Sequence, residues 1–89
     1  MKNRSRPDII AIILDSANGG ITKTKLLTKA NLTSGQLRQY LSVLLDKKLI
    51  LELADESRRH VAYRTTERGM RYLAIYASLK NIAVFPEEG

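Results

Sequence analysis

The chain of 89 residues contains no cysteine and a single histidine, His60. The lack of cysteine excludes a disulfide-stabilised scaffold and thiolate sites for zinc or iron–sulfur clusters, and it favours a reducing, cytoplasmic location. His60 directly follows Arg58 and Arg59, whose charges would repel a metal cation. The sequence therefore predicts no metal site and no cofactor.

The chain also lacks a set of residues that could catalyse a reaction. No two carboxylates stand at a convincing spacing in an apolar setting, as general acid–base catalysis would require. Gly19 and Gly20 are not followed by the Gly-Lys-Ser/Thr pattern of a phosphate-binding loop, so they are interpreted as the end of a helix. We expect neither an enzyme nor a small-molecule substrate.

Long apolar runs are missing as well. The longest run near the N-terminus, IIAIIL, has six residues and is far too short to span a bilayer, and no small-residue cleavage site follows it. The sequence thus predicts neither a membrane segment nor a signal peptide.

Positive charge, by contrast, is abundant. Fifteen lysines and arginines stand against nine acidic residues, a net charge of +6. Nine of the basic residues fall in three groups: Lys2, Arg4 and Arg6; Lys23, Lys25 and Lys29; and Arg58, Arg59 and Arg64. Such a balance is the electrostatic footprint of a nucleic-acid binder, although a soluble basic protein would look the same.

Residues 21–50 have the spacing of two helices joined by a short turn. The second helix shows one apolar stripe with i, i+3, i+4, i+7, i+8 spacing, formed by Leu37, Tyr40, Leu41, Leu44 and Leu45. Thr33-x-x-Gln36 is a capping box, so this helix should begin at Ser34. Thr22 or Thr24 can cap a first helix over residues 23–29, and residues 30–32 supply the turn.

The outward face of the second helix is polar and carries no acid before Asp46. With the leucines inward, Gly35, Gln39 and Ser42 point outward, and Gln36 and Arg38 lie on the flanks. In the major groove, Arg pairs with guanine and Gln with adenine. Many solvent-exposed helix faces have this composition without any such role, so the face by itself does not decide the function.

The remaining segments complete a pattern of helices and one hairpin. Residues 7–17 should form a first helix, with Pro7 in its first turn, and Ile21 a strand stub. Residues 49–54 and 60–65 alternate as the strands of a hairpin around a polar tip at 55–59. Thr66 should cap a last helix that is apolar nearly all round, so one of its faces is expected to meet a second copy of the chain. The four tyrosines are assigned to core or interface rather than to base stacking.

In this order of elements the chain resembles the small archaeal winged helix-turn-helix proteins found among transcription regulators and chromatin-associated DNA binders. The resemblance covers roughly residues 4–80. It rests on the segments RPDIIAIILDSAN, GGITKTKLL, KANLTSGQLRQYLSVLLDKKLI and YRTTERGMRYL. It implies a homodimer joined through the terminal helices, with Ser34, Gln36, Arg38, Gln39 and Ser42 as reading residues and with Lys25 and Arg58 on phosphates. The last helix is short for a long coiled coil, which favours a compact helix pair.

We therefore predict a mostly helical α+β fold: a winged helix-turn-helix with a three-helix core and a two-stranded wing over residues 1–65, a dimerisation helix over 66–85 and a frayed tail over 86–89. The predicted function is sequence-dependent binding of double-stranded DNA by a homodimeric, nucleoid-associated transcriptional regulator. The alternatives are an architectural chromatin protein with little sequence preference and a winged-helix protein-interaction module. The candidate DNA-binding residues are Lys23, Lys25, Thr33, Ser34, Gly35, Gln36, Arg38, Gln39, Ser42, Arg58 and Arg59. The candidate dimer residues are Met70, Tyr72, Leu73, Ile75, Tyr76, Leu79 and Ile82.

Overall fold

The structure, a computed structural model, describes the backbone of residues 4–54 and 61–83 and the side chains of residues 4–54 and 61–81. The predicted contacts Arg58 and Arg59, together with His60, Lys2, the side chain of Ile82 and the tail, lie outside these residues. The described elements are α1 (Arg6–Ser16), β1 (Ile21–Thr22), α2 (Lys23–Ala30), α3 (Ser34–Asp46), β2 (Ile50–Ala54), β3 (Val61–Thr65) and α4 (Glu67–Ala83).

Helix α1 begins one residue earlier than predicted because Ser5 caps it. The Ser5 hydroxyl accepts a hydrogen bond from the Asp8 backbone N–H at 3.2 Å, and the Asp8 carboxylate accepts one from the Ser5 N–H at 3.4 Å. This reciprocal arrangement is a capping box with aspartate in place of glutamate. The predicted range of 7–17 was therefore wrong by one residue at each end.

The predicted two-stranded hairpin is part of a three-stranded antiparallel sheet. The strand order is β1-β3-β2, and Ile21 and Thr22 pair with Tyr63 and Ala62. The predicted stub at Ile21 is thus a two-residue strand that ties the start of α2 to the hairpin. The hairpin strands agree with the prediction to within one residue.

The core lies where α1, α2, α3 and the sheet meet. Its largest fully buried side chains are aliphatic: Ile13, Leu14, Leu26, Leu37, Leu44 and Ile50. The predicted inward stripe of α3 is confirmed, since Leu37, Leu41 and Leu44 are all buried.

Helix α4 packs against α1 and β3 and is held there by its first turn. Thr66 is the predicted cap: its hydroxyl accepts from the Gly69 N–H at 3.0 Å and donates to the Lys48 carbonyl at 2.7 Å. Gly69 lies directly against the Leu49 carbonyl oxygen, where a Cβ would also be 2.5 Å from the Thr65 methyl. Any larger residue at 69 would push α4 away from the sheet.

Candidate nucleic-acid interface

The turn between α2 and α3 is closed by a left-handed residue. Asn31 has φ 54°, a conformation that asparagine tolerates better than most residues. The Leu32 N–H donates to the Leu27 carbonyl, and the Asn31 N–H to the Thr28 carbonyl, each at 3.2 Å. These two bonds end α2 at Ala30, so α2 is one residue longer than predicted and the turn occupies residues 31–33.

The turn is also held from the N-terminus of the chain. The Arg4 guanidinium donates to the Ala30 carbonyl at 2.6 Å and to the Asn31 carbonyl at 3.0 Å. A cation at the carbonyl end of a helix is electrostatically favourable. Arg4 is therefore a positioning residue for the helix-turn-helix and not a free basic side chain.

Helix α3 starts where the sequence predicted. The Thr33 hydroxyl accepts from the Gln36 N–H at 3.1 Å, and the Gln36 amide oxygen accepts from the Thr33 N–H at 3.0 Å. This bond uses one of the two lone pairs of the Gln36 amide oxygen and holds the side chain at Thr33, while its NH2 group remains available as a donor. Gln36 therefore cannot present both groups to adenine without giving up its cap.

The outward face of α3 is exposed as predicted. Gly35, Arg38, Gln39 and Ser42 are all exposed, and the site of a Cβ at Gly35 has no atom within 4 Å. Within the described part of the chain, no hydrogen bond or ion pair occupies the side chains of Arg38, Gln39 or Ser42. Their donors and acceptors are available to a partner.

The starts of α2 and α3 carry the positive ends of their helix dipoles. The first turns of α2 and α3 contain no acidic residue, so their unpaired N–H groups and positive dipole ends are not neutralised. Lys25, at the start of α2, is exposed, and Lys23 is half-buried. Thr33 and Ser34 are exposed at the start of α3.

The wing strands bring one more basic side chain to the surface. Arg64 is exposed on β3, opposite Leu51 of β2. On the other face of the hairpin, burial and the neighbouring charge of Glu52 raise the pKa of Tyr63 above its usual range. Tyr63 is a core residue, as expected.

The predicted dimer residues divide between two sides of α4. Tyr72 and Leu73 are half-buried and pack on the core of their own chain, and the Tyr76 hydroxyl donates to the Asp8 carboxylate. Ile75 and Leu79 are 60% and 59% exposed, and Met70 is 38% exposed. At 100° per residue, Ile75 and Leu79 share one side of α4 and Met70 faces away from them.

The sequence showed Arg6 as part of a basic group but did not place it beside α3. Arg6 and Gln39 line the same cleft between α1 and α3, together with Ile10, Tyr40 and Val43. The signal that could have singled out Arg6 is its positive charge in the first turn of a helix, where acidic side chains are usual.

These elements form a helix-turn-helix with a hairpin wing. The family model described as winged helix-turn-helix matches residues 3–84, so the chain belongs to the winged helix-turn-helix family. The sequence resemblance to small archaeal DNA-binding proteins of this fold is confirmed. No curated protein matches the chain in sequence.

Solved structures share the fold at low identity. Sso10a-2, a DNA-binding protein from Sulfolobus solfataricus, has a TM-score of 0.79 and 18% identity, with 89% of this chain and 81% of Sso10a-2 covered. A MepR variant from S. aureus bound to an oligodeoxyribonucleotide has a TM-score of 0.72 and 18% identity, with 85% and 56% covered. The transcriptional regulator PcaV from Streptomyces coelicolor has a TM-score of 0.67 and 18% identity, with 90% and 60% covered. The chain thus spans little more than half of the latter two proteins.

Two further findings concern the described residues alone. Residues 4–54 and 61–83 contain no cluster of three side chains able to hold a metal ion. No helix in those ranges combines the length and apolar character needed to cross a bilayer.

Proposed function

We propose that this protein binds double-stranded DNA as a homodimeric, sequence-dependent transcriptional regulator, with α3 in the major groove. The observation that carries the proposal is the exposed face of α3: Arg38, Gln39 and Ser42 make no hydrogen bond or ion pair within the described chain, and Gly35 on the same face has open space above it. A helix face of this kind can approach base edges without first breaking internal bonds.

The chemistry of the face assigns different roles to its residues. Arg38 can donate two hydrogen bonds to guanine, and Gln39 can pair with adenine through both its amide groups. Gln36 offers only its NH2 group while it caps α3. Gly35 allows the backbone close to the groove floor, and Ser42 adds a short donor and acceptor.

Phosphate contacts are assigned to the helix starts and the wing. Unpaired N–H groups at the start of α2, next to Lys25 and Lys23, favour an anion there. Thr33 can donate its hydroxyl proton to a phosphate while its oxygen accepts from Gln36, and the Ser34 N–H lies beside it. Arg58 and Arg59 are proposed as wing contacts on their sequence position alone.

The dimer is proposed to form through α4, by Ile75 and Leu79. These two side chains lie one turn apart, both are more than half exposed, and a soluble monomer gains nothing from exposing them together. Met70 lies on the other side of α4. Tyr72 and Leu73 pack against the core of their own chain, and Tyr76 is bonded to Asp8. Two linked α3 helices would engage half-sites about one helical turn apart.

Selection of bound sequences from a random duplex library, repeated at two salt concentrations, tests the proposed reading of sequence. A regulator should enrich one motif at both concentrations and bind it about a thousandfold more tightly than unrelated duplex. Enrichment of no motif, with binding retained, would identify an architectural protein instead. Absence of duplex binding at low salt would leave only an interaction module.

The dimer is tested by sedimentation equilibrium at micromolar concentration. Leu79→Asp places a charge in the proposed interface and should yield a monomer. Asn81→Asp adds the same charge 200° further round the helix and should leave the dimer intact. A monomeric wild-type protein would contradict this part of the proposal.

A further inference from the structure

Arg6 carries a positive charge where the fold does not favour one. It is the first residue of α1, at the positive end of the helix dipole, where a cation is destabilising. Its side chain is exposed, and the described part of the chain provides no ion pair for it. The acid of the same turn, Asp8, is already bonded to Ser5 and Tyr76. A charge that works against its local structure suggests a function at that place.

Arg6 lines a cleft of about 270 Å³ between α1 and α3. Its other lining residues include Ile10 from α1 and Tyr40 and Val43 from α3, so the cleft combines one cation with apolar walls. Val43 is 48% exposed, so its side chain is accessible from the cleft. The cleft has the composition of a site for an anion joined to a less polar group.

The cleft is continuous with the proposed reading face. Gln39 belongs to both, and Val43 lies one turn further along α3 and about 40° further round toward α1. A helix is about 10–12 Å wide and the major groove about 12 Å, so the flanks of an inserted helix lie near the sugar–phosphate backbone, from which a long side chain such as that of Arg38 can still reach a base edge. The cleft forms the flank of α3 that faces α1.

We propose that this cleft holds one sugar–phosphate unit of the DNA backbone, with the Arg6 guanidinium on the phosphate and with Val43 and Ile10 against the deoxyribose. The inference rests on the proposed insertion of α3 into the major groove. It adds a phosphate contact on the side of α3 opposite to Arg38, so the two flanks of the helix would each face one DNA strand.

Salt dependence of duplex binding tests the charge contact. For Arg6→Ala, the slope of log affinity against log salt should fall by about one unit for each bound subunit. Raising salt from about 50 to about 200 mM should then cost the wild-type protein roughly threefold more affinity per subunit than the variant. Arg71→Ala, which removes an exposed charge on α4 that lies 3.8 Å from the Glu67 carboxylate, is the control and should leave the slope unchanged.

Thermal unfolding of the same variants separates a DNA contact from a structural role. Arg6→Ala should unfold at the same temperature as the wild type or higher, because it removes an unfavourable charge from the start of α1. A clear loss of stability would mean that Arg6 supports the fold, and that outcome would overturn the proposal.

A neutral-phosphate scan locates the contact without depending on any one variant. Single methylphosphonates replace the phosphates of a selected duplex one at a time. At one position per half-site, the replacement should lower the affinity of the wild-type protein but not that of Arg6→Ala. If the wild type binds the duplex but every phosphate responds equally in both proteins, the cleft is not a backbone site, while α3 can still read bases. Failure of the wild type to bind any duplex would overturn the proposed function and this inference together.

Discussion

Thr33 and Gln36 exchange hydrogen bonds in both directions at the start of α3, at 3.0 and 3.1 Å. The same glutamine lies on the flank of the proposed reading face. Its two possible roles compete, because the side chain that would have to turn toward adenine is held at Thr33 by its bond with the Thr33 N–H. Gln39 lies three residues further along α3 and makes no hydrogen bond within the described chain. Both of its amide groups are therefore available to a base.

Substitution of the two glutamines should therefore separate stability from recognition. Gln36→Ala should lower the free energy of unfolding by about 0.5–1 kcal/mol, since half of the capping box is lost. Gln39→Ala should leave stability within about 0.5 kcal/mol of the wild type and cost about 1–3 kcal/mol of binding to the preferred duplex. Urea unfolding and duplex titration measure the two effects, and the reverse assignment of losses would contradict the account.

Gly69→Ala should destabilise the protein by about 1–3 kcal/mol even though alanine favours helices. The added methyl would meet the Leu49 carbonyl oxygen and the Thr65 methyl, and Leu49 must keep its place because its carbonyl also accepts from the Thr66 N–H at 3.1 Å. Gly35→Ala is the matched control: it meets no atom within 4 Å and should raise stability by about 0.5–1 kcal/mol. Equal unfolding midpoints for both variants would show that α4 does not pack this closely.

The contact between α1 and α4 should weaken in acid. The Tyr76 hydroxyl, followed by the Ser5 hydroxyl, holds the pKa of Asp8 below its ordinary value of 3.8. A lowered folded-state pKa stabilises the protein above about pH 4, and this stabilisation is lost as the pH falls through the folded-state value. The same bond raises the pKa of Tyr76 above 10.0.

Tyr76→Phe removes the main cause of the Asp8 shift. The difference in unfolding temperature between wild type and Tyr76→Phe should be constant from about pH 5 to 8 and shrink below about pH 4. Tyr72→Phe is the control, because Tyr72 stacks on Tyr76 with ring centroids 6.4 Å apart without a described bond to Asp8. A difference that does not change with acid would contradict the assigned role of this bond.

Arg4→Ala should lower stability by about 1 kcal/mol, since the Ala30 and Asn31 carbonyls lose their donors. Because this guanidinium is directed at the protein, the salt slope of duplex binding should stay unchanged, unlike that of Arg6→Ala. A slope reduced by about one unit in Arg4→Ala would mean that Arg4 also contacts phosphate.

Local signals in the sequence predicted much of the helix-turn-helix. Thr33 and Gln36 located the start of α3, and the spacing of Leu37, Leu41 and Leu44 located its inner face, since both depend on residues within one or two turns. Ser5 and Asp8 carried the same kind of signal for α1, and recognising that box would have corrected its start. The division of α4 into an inner and an outer side could not be predicted, because it depends on packing against α1 about sixty residues earlier.

Contacts far apart in sequence account for the rest. Arg4 and the Ala30 carbonyl are separated by 26 residues, and β1 exists only because β3 returns to pair with it. Lys48, with φ 62°, adopts the left-handed conformation just after the end of α3. Glycine usually occupies such a position, so the lysine did not mark this turn in the sequence.

The central claim is that the outer face of α3 reads base sequence, and the affinity of Arg38→Ala for selected and scrambled duplexes at one salt concentration tests it most directly. Lys25→Ala, a proposed phosphate contact, is measured beside it. We predict that Arg38→Ala loses about 1–3 kcal/mol on the selected duplex and little on the scrambled one, whereas Lys25→Ala weakens binding to both. Equal losses on both duplexes for Arg38→Ala would contradict the claim.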